Sequence, residues 1–280
     1  MPKRVAIIGL GLIGGSLGLA LTRRRLARRV IGVSRSPETL RRARRARAIH
    51  EGTTDLREAV RGADLVVLAT PVETIVPLAK RAARFMRPGS VLTDVGSTKG
   101  AIVAALERGL PTGVAFVGGH PIAGSESRGF GAARHDLFDG SVCILTPTAR
   151  TPRQALRRVA AFWKPLAERV VTMAPSAHDR LLAGASHLPH LLAYALAHAV
   201  DGRQLPMAPR SFLEMTRLAK SSPELWDDIF LSNRREVLAA MTRFERSWRL
   251  LRASIGRARR GALRAQLARA QAKREALAEG

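Results

Sequence analysis

Cysteine is almost missing from this 280-residue chain. Cys143 stands alone, which excludes a disulfide framework and any multi-cysteine metal site. Aromatic residues are only 4%, with a single tyrosine, so the basic stretches lack the interleaved rings of single-strand nucleic-acid platforms. Acid is scarce as well. Asp and Glu total 22 against 47 Lys and Arg, a net charge of +25. Such a charge favours anionic partners but specifies no fold. No long apolar run is suited to a bilayer: the uncharged stretch Val5 to Thr22 carries five glycines, and Leu181 to Val200 holds three histidines and a proline. The first stretch also lacks a small-residue cleavage site. The expectation is a soluble, cytoplasmic protein without a membrane partner.

What remains is ordinary for a globular chain: 46% apolar, 25% charged, 24 Gly and 15 Pro. This length accommodates one large or two medium domains, each with a core. Arginine far outnumbers lysine and sits mainly on the solvent faces of predicted helices. With no DNA- or RNA-reading motif, the arginine bias reads as base composition and no specific nucleic-acid partner is expected.

Strand and helix patterns alternate up to residue 173. Val5–Ile8, Val30–Val33, Leu65–Ala69, Val91–Thr93, Ala115–Val117, Val142–Leu145 and Arg169–Met173 read as strands. Helices are predicted over 14–21, 37–48, 72–86, 98–108 and 152–163, with Ser36 as N-cap and Pro37 at N1 of the second. That alternation implies a mostly parallel sheet covered on both faces. Beyond Met173 only helices are predicted: 176–200, bent near Pro189; a long one from Pro223, capped by Ser222; and a basic one from about Ser254. The chain therefore divides into an α/β domain, 1–173, and an all-α domain, 174–280. The helix from Pro223 carries Ile229, Phe230, Val237, Leu238, Met241, Phe244, Trp248 and Leu251. One flank of a small domain cannot bury that much apolar surface, so a homodimer through the helical domain is expected.

Gly9-Leu10-Gly11-Leu12-Ile13-Gly14 is a G-x-G-x-x-G between the first strand and the first helix. Its glycines allow a tight turn, close approach of a pyrophosphate and helix–strand packing, and the helix start offers free N–H groups. This is the fingerprint of a Rossmann-type dinucleotide site. The second strand ends in Val33-Ser34-Arg35 with no acid to hold a ribose diol. Ser34 and Arg35 suit a 2′-phosphate, so NADP is expected, with NAD as the alternative. Thr70-Pro71 closes the third strand on the same edge of the sheet. Asp94-Val-Gly-Ser97-Thr-Lys99 and Gly118-Gly-His120-Pro-Ile-Ala-Gly124-Ser125-Glu126 follow later strands, where ligands of such sheets bind. His120, between Gly-Gly and Pro on a loop, is placed for acid–base chemistry or is a structural loop histidine. Ser186-His187-Leu-Pro-His190 sets two histidines three apart, but no carboxylate or cysteine accompanies them at ligand spacing, and no metal is expected.

Taken in series, GLGLIGGSL, DVGSTKG, GGHPIAGSE, CILTP, HDRLLAGASHLPH and TRLAKSSPELWDDIF resemble the prephenate/arogenate dehydrogenase family of tyrosine biosynthesis, over residues 4 to about 250. The resemblance implies oxidative decarboxylation of a cyclohexadienyl ring, with hydride passing to NAD(P). It makes His120 the catalytic base and Ser97 its hydrogen-bonding companion. It makes Arg217 the partner of a substrate carboxylate, His190 the contact at the substrate's side-chain end, and Ser186 and His187 its neighbours. Ser125, Glu126 and Trp226 complete the substrate set, Trp226 closing the pocket, from the partner subunit in one arrangement. Glu126, Asp179 and Glu214 match acidic positions of a gating ion network around Arg217. Prephenate is favoured over arogenate because a histidine at 190 suits a keto acid better than a cation. Members of that family often carry an acid where Ser34 stands.

Overall fold

The computed structural model describes residues 2–125, 127–203 and 205–277. The chain falls into two compact units, Met1–Arg234 and Arg235–Gly280.

In the first unit the apolar runs become strands. β1 (Arg4–Ile8), α1 (Leu12–Arg23), β2 (Arg29–Val33), α2 (Pro37–Arg45), β3 (Glu51–Thr53), α3 (Leu56–Val60) and β4 (Leu65–Leu68) come first. Then follow α4 (Val72–Ala83), β5 (Val91–Asp94), α5 (Gly100–Glu107), β6 (Ala115–Pro121), β7 (Val142–Thr146), α6 (Arg153–Trp163) and β8 (Arg169–Thr172). The strands form one eight-stranded sheet in the order β3-β2-β1-β4-β5-β6-β7-β8. Pairings out to β6 are parallel, β7 runs antiparallel to β6, and β8 is parallel to β7. The first six strands thus take the doubly wound order in which ligands bind beyond the carboxyl ends.

Both faces of this sheet are covered. Val5 and Ile7 of β1 join Leu17 and Leu21 of α1 in one buried cluster with Phe162 and Trp163 of α6. Their neighbours Ala6 and Ile8 join Ile75 of α4 and Ile102 of α5 in the other. Successive side chains of a strand alternate between faces, so a run that is apolar throughout is buried on both sides.

After the sheet come α7 (Pro175–Leu182), a π-helical turn over Ala183–His187, and α8 (Leu188–Ala199). The helix expected as one piece over 176–200 is divided by this turn, just before Pro189. Pro189 has no N–H to continue the i to i−4 ladder, and the helix widens just before it. Next come α9 (Arg210–Thr216), a short 3₁₀ turn over Arg217–Lys220 and α10 (Pro223–Ser232). Ser222 caps α10 by accepting the Leu225 N–H at 3.2 Å, and Ser36 caps α2 by accepting that of Thr39.

Several local expectations need correction. β3, α3 and α9 were not foreseen; they are three, five and seven residues long, too short for a periodicity to show. The helix from Pro223 is not continuous, because Asn233 interrupts it at φ −112°, ψ 27°. α11 (Arg234–Gly256) begins there and makes up most of the second unit with α12 (Arg260–Glu275). The basic helix expected from about 254 therefore starts later, after Ala258 turns the chain at φ 49°. Within the second unit Gln266 donates to Ser254 Oγ at 3.1 Å, and Phe244 stacks on Trp248. No residue of α12 is buried. No described helix is long and apolar enough to cross a membrane.

Candidate active site

The turn after β1 is built from backbone. Gly9 sits at φ 95°, a left-handed conformation open to glycine. A side chain there would collide with the Ala69 carbonyl, and one at Gly14 with the carbonyl of Gly9. Gly11 differs: a Cβ built on it meets nothing within 4 Å. Gly11 caps α1 without a side-chain hydrogen bond, and no acid stands in the first turn. The half-buried Leu12 and Ile13 open that helix and pack on the core. The Gly9 N–H is taken by the Val33 carbonyl at 3.0 Å, while the space beside Gly11 is open, as the approach of an anionic pyrophosphate requires. Thr70 Oγ1, beside Gly9, is buried without a hydrogen-bond partner. Pro71 is exposed at the start of α4. At the end of β2, Ser34 Oγ accepts the Ser36 N–H at 3.2 Å. Arg35 is exposed, with no acidic residue beside it in the sequence. These residues fit a dinucleotide.

Three strands away stands His120. The expected loop is strand here: β6 continues through Pro121, and His120 pairs with Ile144 of β7. The strand persists because Gly118 and Gly119 pair as extended backbone with Thr146 and Leu145. Gly119 also allows close packing, since a Cβ there would lie 2.8 Å from the Asp94 carbonyl oxygen.

A buried ion pair pins this corner. Lys99 Nζ contacts Asp94 Oδ2, both side chains being inaccessible to solvent. Lys99 Nζ also donates to the Gly119 carbonyl at 2.9 Å, while Asp94 accepts the N–H groups of Gly119 (3.1 Å) and Gly96 (2.9 Å). Such a pair repays its desolvation only when further hydrogen bonds satisfy it, as here. Ser97 lies half-buried on the loop between Asp94 and Lys99.

His120 Nδ1 lies 2.8 Å from His178 Nε2, and His178 Nδ1 lies 2.8 Å from Asp179 Oδ1. Asp179 accepts the N–H groups of Lys99 and Gly100, each at 2.8 Å. Asn233 Nδ2 donates to the Asp179 carbonyl at 2.8 Å and lies 3.2 Å from His187 Nδ1. Burial depresses the pKa of His120 well below the usual histidine value, and the positive potentials of His178, Lys99 and His187 add to it. Burial alone would raise Asp179, but the hydrogen bonds from His178, Lys99 and Gly100 outweigh it and hold the carboxylate low. Burial pushes Lys99 down against the pull of Asp94 and pushes the Cys143 thiol up.

A third group lies on α8 and α10. His190 stacks on Trp226 with ring centroids 3.5 Å apart and holds the Ser186 carbonyl at 3.0 Å. Trp226 is buried within its own chain, also meeting His187 and Phe230. Burial brings His187 down to about 4 and lowers His190 as well. Arg217 is exposed on its 3₁₀ turn, and Ser125 is exposed after β6. Glu126 lies outside the described residues. Of the acids expected around Arg217, Asp179 gives its oxygens to Lys99, Gly100 and His178, and Glu214 pairs with Arg210 at 2.9 Å. Among the described residues, no group of three or more His, Cys, Asp or Glu could hold a metal.

Lys99 and His178 stand inside motifs already named but were assigned no role there, and Asn233 was not singled out. Lys99 lies between Gly96 and Gly100, but His178 and Asn233 stand among other polar residues, so no local signal marks them and they become meaningful only when folding joins the segments.

Known proteins resemble this chain along most of its length. Residues 17–172 match the family model described as prephenate dehydrogenase, nucleotide-binding domain, and 174–269 match prephenate dehydrogenase, dimerization domain. The first match begins just past the glycine turn. The chain is 36% identical over 245 residues to a prephenate dehydrogenase of Bacillus subtilis, covering 85% of this chain and 66% of that one. It is 36% identical over 263 residues to a cyclohexadienyl dehydrogenase of Zymomonas mobilis, covering 90% and 88%. A crystal structure of Aquifex aeolicus prephenate dehydrogenase, in complex with hydroxyphenyl propionate and NAD+, superposes with a TM-score of 0.90 at 35% identity, covering 98% of each chain. The chain belongs to the prephenate dehydrogenase family, oxidoreductases built from a nucleotide-binding and a dimerisation domain.

Proposed function

We propose that the chain oxidatively decarboxylates prephenate to 4-hydroxyphenylpyruvate, in tyrosine biosynthesis in the cytoplasm, with NADP preferred to NAD. The observation that carries this reading is His120: it ends β6 on the sheet edge that bears the glycine turn, with Nδ1 engaged by His178. A bound nicotinamide dinucleotide would supply the two-electron acceptor. His120 takes the proton of the substrate 4-hydroxyl, and its depressed pKa keeps it in the basic form at pH 7. Ser97 hydrogen-bonds the same hydroxyl. Loss of the ring carboxylate as CO₂ leaves an aromatic ring. Arg217 pairs with a substrate carboxylate through its guanidinium fork. His190 and Trp226 contact the substrate's side-chain end, and Ser125, Ser186 and His187 complete the substrate set. His190 is held neutral by burial, which suits the keto group of prephenate better than the ammonium of arogenate.

In this reading residues 1–173 hold the dinucleotide through Gly9, Gly11, Leu12, Ile13, Gly14, Ser34, Arg35, Thr70 and Pro71, and residues 174–280 carry substrate contacts and a homodimer interface. Exposed apolar side chains on α11, including Leu238, Trp248, Leu250 and Ile255, support the dimer. Sedimentation at micromolar concentration should give a dimer, and a monomer there contradicts the interface.

The test of function is an absorbance assay at the reduced-nicotinamide band, crossing prephenate and arogenate with NADP and NAD. Prephenate with NADP should give the highest kcat/KM. No turnover in any combination would refute the reading.

A further inference from the structure

We infer that His178 and Asp179 form a positioning pair that fixes the tautomer of His120 and leaves its Nε2 as the proton-accepting atom; this rests on the reading of His120 as the base. Both oxygens of Asp179 are occupied by N–H groups that open α5, those of Lys99 and Gly100. A carboxylate so held is ionised and can only accept hydrogen bonds. His178 Nδ1, 2.8 Å from Oδ1, must therefore carry a proton and donate it. With that proton on Nδ1, the uncharged form of His178 presents a lone pair at Nε2, and in this form His120 Nδ1, 2.8 Å away, donates to it. A neutral imidazole has one ring proton, so Nε2 of His120 is bare.

The pair itself is anchored. Asn233 donates to the Asp179 carbonyl, and His178 is wholly buried. When His120 takes the substrate proton, its Nδ1–H already points along a hydrogen-bonded path to an anion. The new cation is offset by Asp179 without any proton reaching that residue, as in triads that orient a histidine through a buried carboxylate. The other groups bearing on His120 are Lys99 with its partner Asp94, the thiol of Cys143 on β7, and His187. Lys99 and His187 oppose positive charge at His120, which makes the offset from Asp179 matter.

The test compares His178→Leu with His178→Gln in the full chain. Leu removes the acceptor facing His120 Nδ1, whereas the amide oxygen of Gln can replace it. His178→Leu should lower kcat by about 10²–10⁴-fold, as general-base disruption does, while KM for prephenate moves within about threefold, since ground-state binding is untouched. His178→Gln should recover at least about tenfold of the lost kcat. Equal losses in the two variants, or a loss carried by KM, would overturn the pairing. His120→Asn separates the two readings. An active His120→Asn refutes the base itself, whereas an inactive one beside a fully active His178→Leu refutes only the pairing. If His178→Leu does not fold, nitrogen-15 histidine spectra of the unaltered protein decide: His120 protonated at Nδ1 supports the pairing, and protonated at Nε2 overturns it.

Discussion

Two corners of one sheet edge do different work by different means. The turn after β1 is made of backbone and empty space, and all of its glycines fall between residues 9 and 14. The corner after β6 is made of side chains from Asp94, Lys99, His120, His178, Asp179 and Asn233, most of them buried. The first is damaged by adding atoms. The second is damaged by removing any one partner, because each buried polar group depends on the next. A site that admits a large anion can be defined by what is missing; one that moves a proton needs groups held at hydrogen-bond distance.

Breaking the buried pair should have the largest effect. Lys99→Met leaves Asp94 buried and uncompensated, and should cost about 3–5 kcal/mol of stability in urea unfolding. A loss under about 1 kcal/mol, the size of an exposed pair, would show that the corner is not held by this contact.

Next comes pH. His187 titrates near 4 in the fold and near 6.5 when unfolded. Its folded pKa is depressed, so its stability contribution is present above pH 6.5 and is lost as pH falls toward 4, where the unfolded chain binds the proton first. The loss, relative to His187→Gln, should approach about 3 kcal/mol. Parallel pH curves for the two proteins would remove His187 from the account.

The turn can be probed without disturbing the corner. Arg35→Asp should shift the NADP-to-NAD ratio of kcat/KM by about tenfold to a hundredfold toward NAD, the span of about 1.4–2.8 kcal/mol. An unchanged ratio would mean that the 2′-phosphate is held elsewhere. The smallest effect is expected at Gly11→Ala. The new methyl meets no protein atom, so melting should barely change while dinucleotide affinity falls about tenfold, or 1.4 kcal/mol. Gly14→Ala sharpens the contrast, because its methyl would strike the Gly9 carbonyl and the melting temperature itself should drop.

The two corners also differ in how legible they are. The glycine turn could be read because its spacing, the strand before it and the helix after it are local. The alternation of Val, Ile and Leu runs likewise predicted the sheet, since burial on both faces leaves an apolar run. The His120 corner was legible only in part. His120 drew attention through its Gly-Gly-His-Pro setting, yet it was expected on a loop, because strand pairing of two glycines depends on β7, distant in sequence. Asn233 looked like a residue in the middle of a helix. At the interruption its side chain reaches Asp179 and His187, a long-range contact that periodicity cannot reveal. Resemblance supplied Arg217 and Trp226, which no local pattern singled out.

The division of labour between the corners is tested most directly by His120→Asn, with kcat and dinucleotide dissociation constant measured on the same preparation. The account predicts kcat lower by about 10²–10⁴-fold, with the dissociation constant within about twofold of the unaltered protein, because the cradle is untouched. A variant that keeps more than about half of its kcat, or that loses dinucleotide binding in step with kcat, would contradict it.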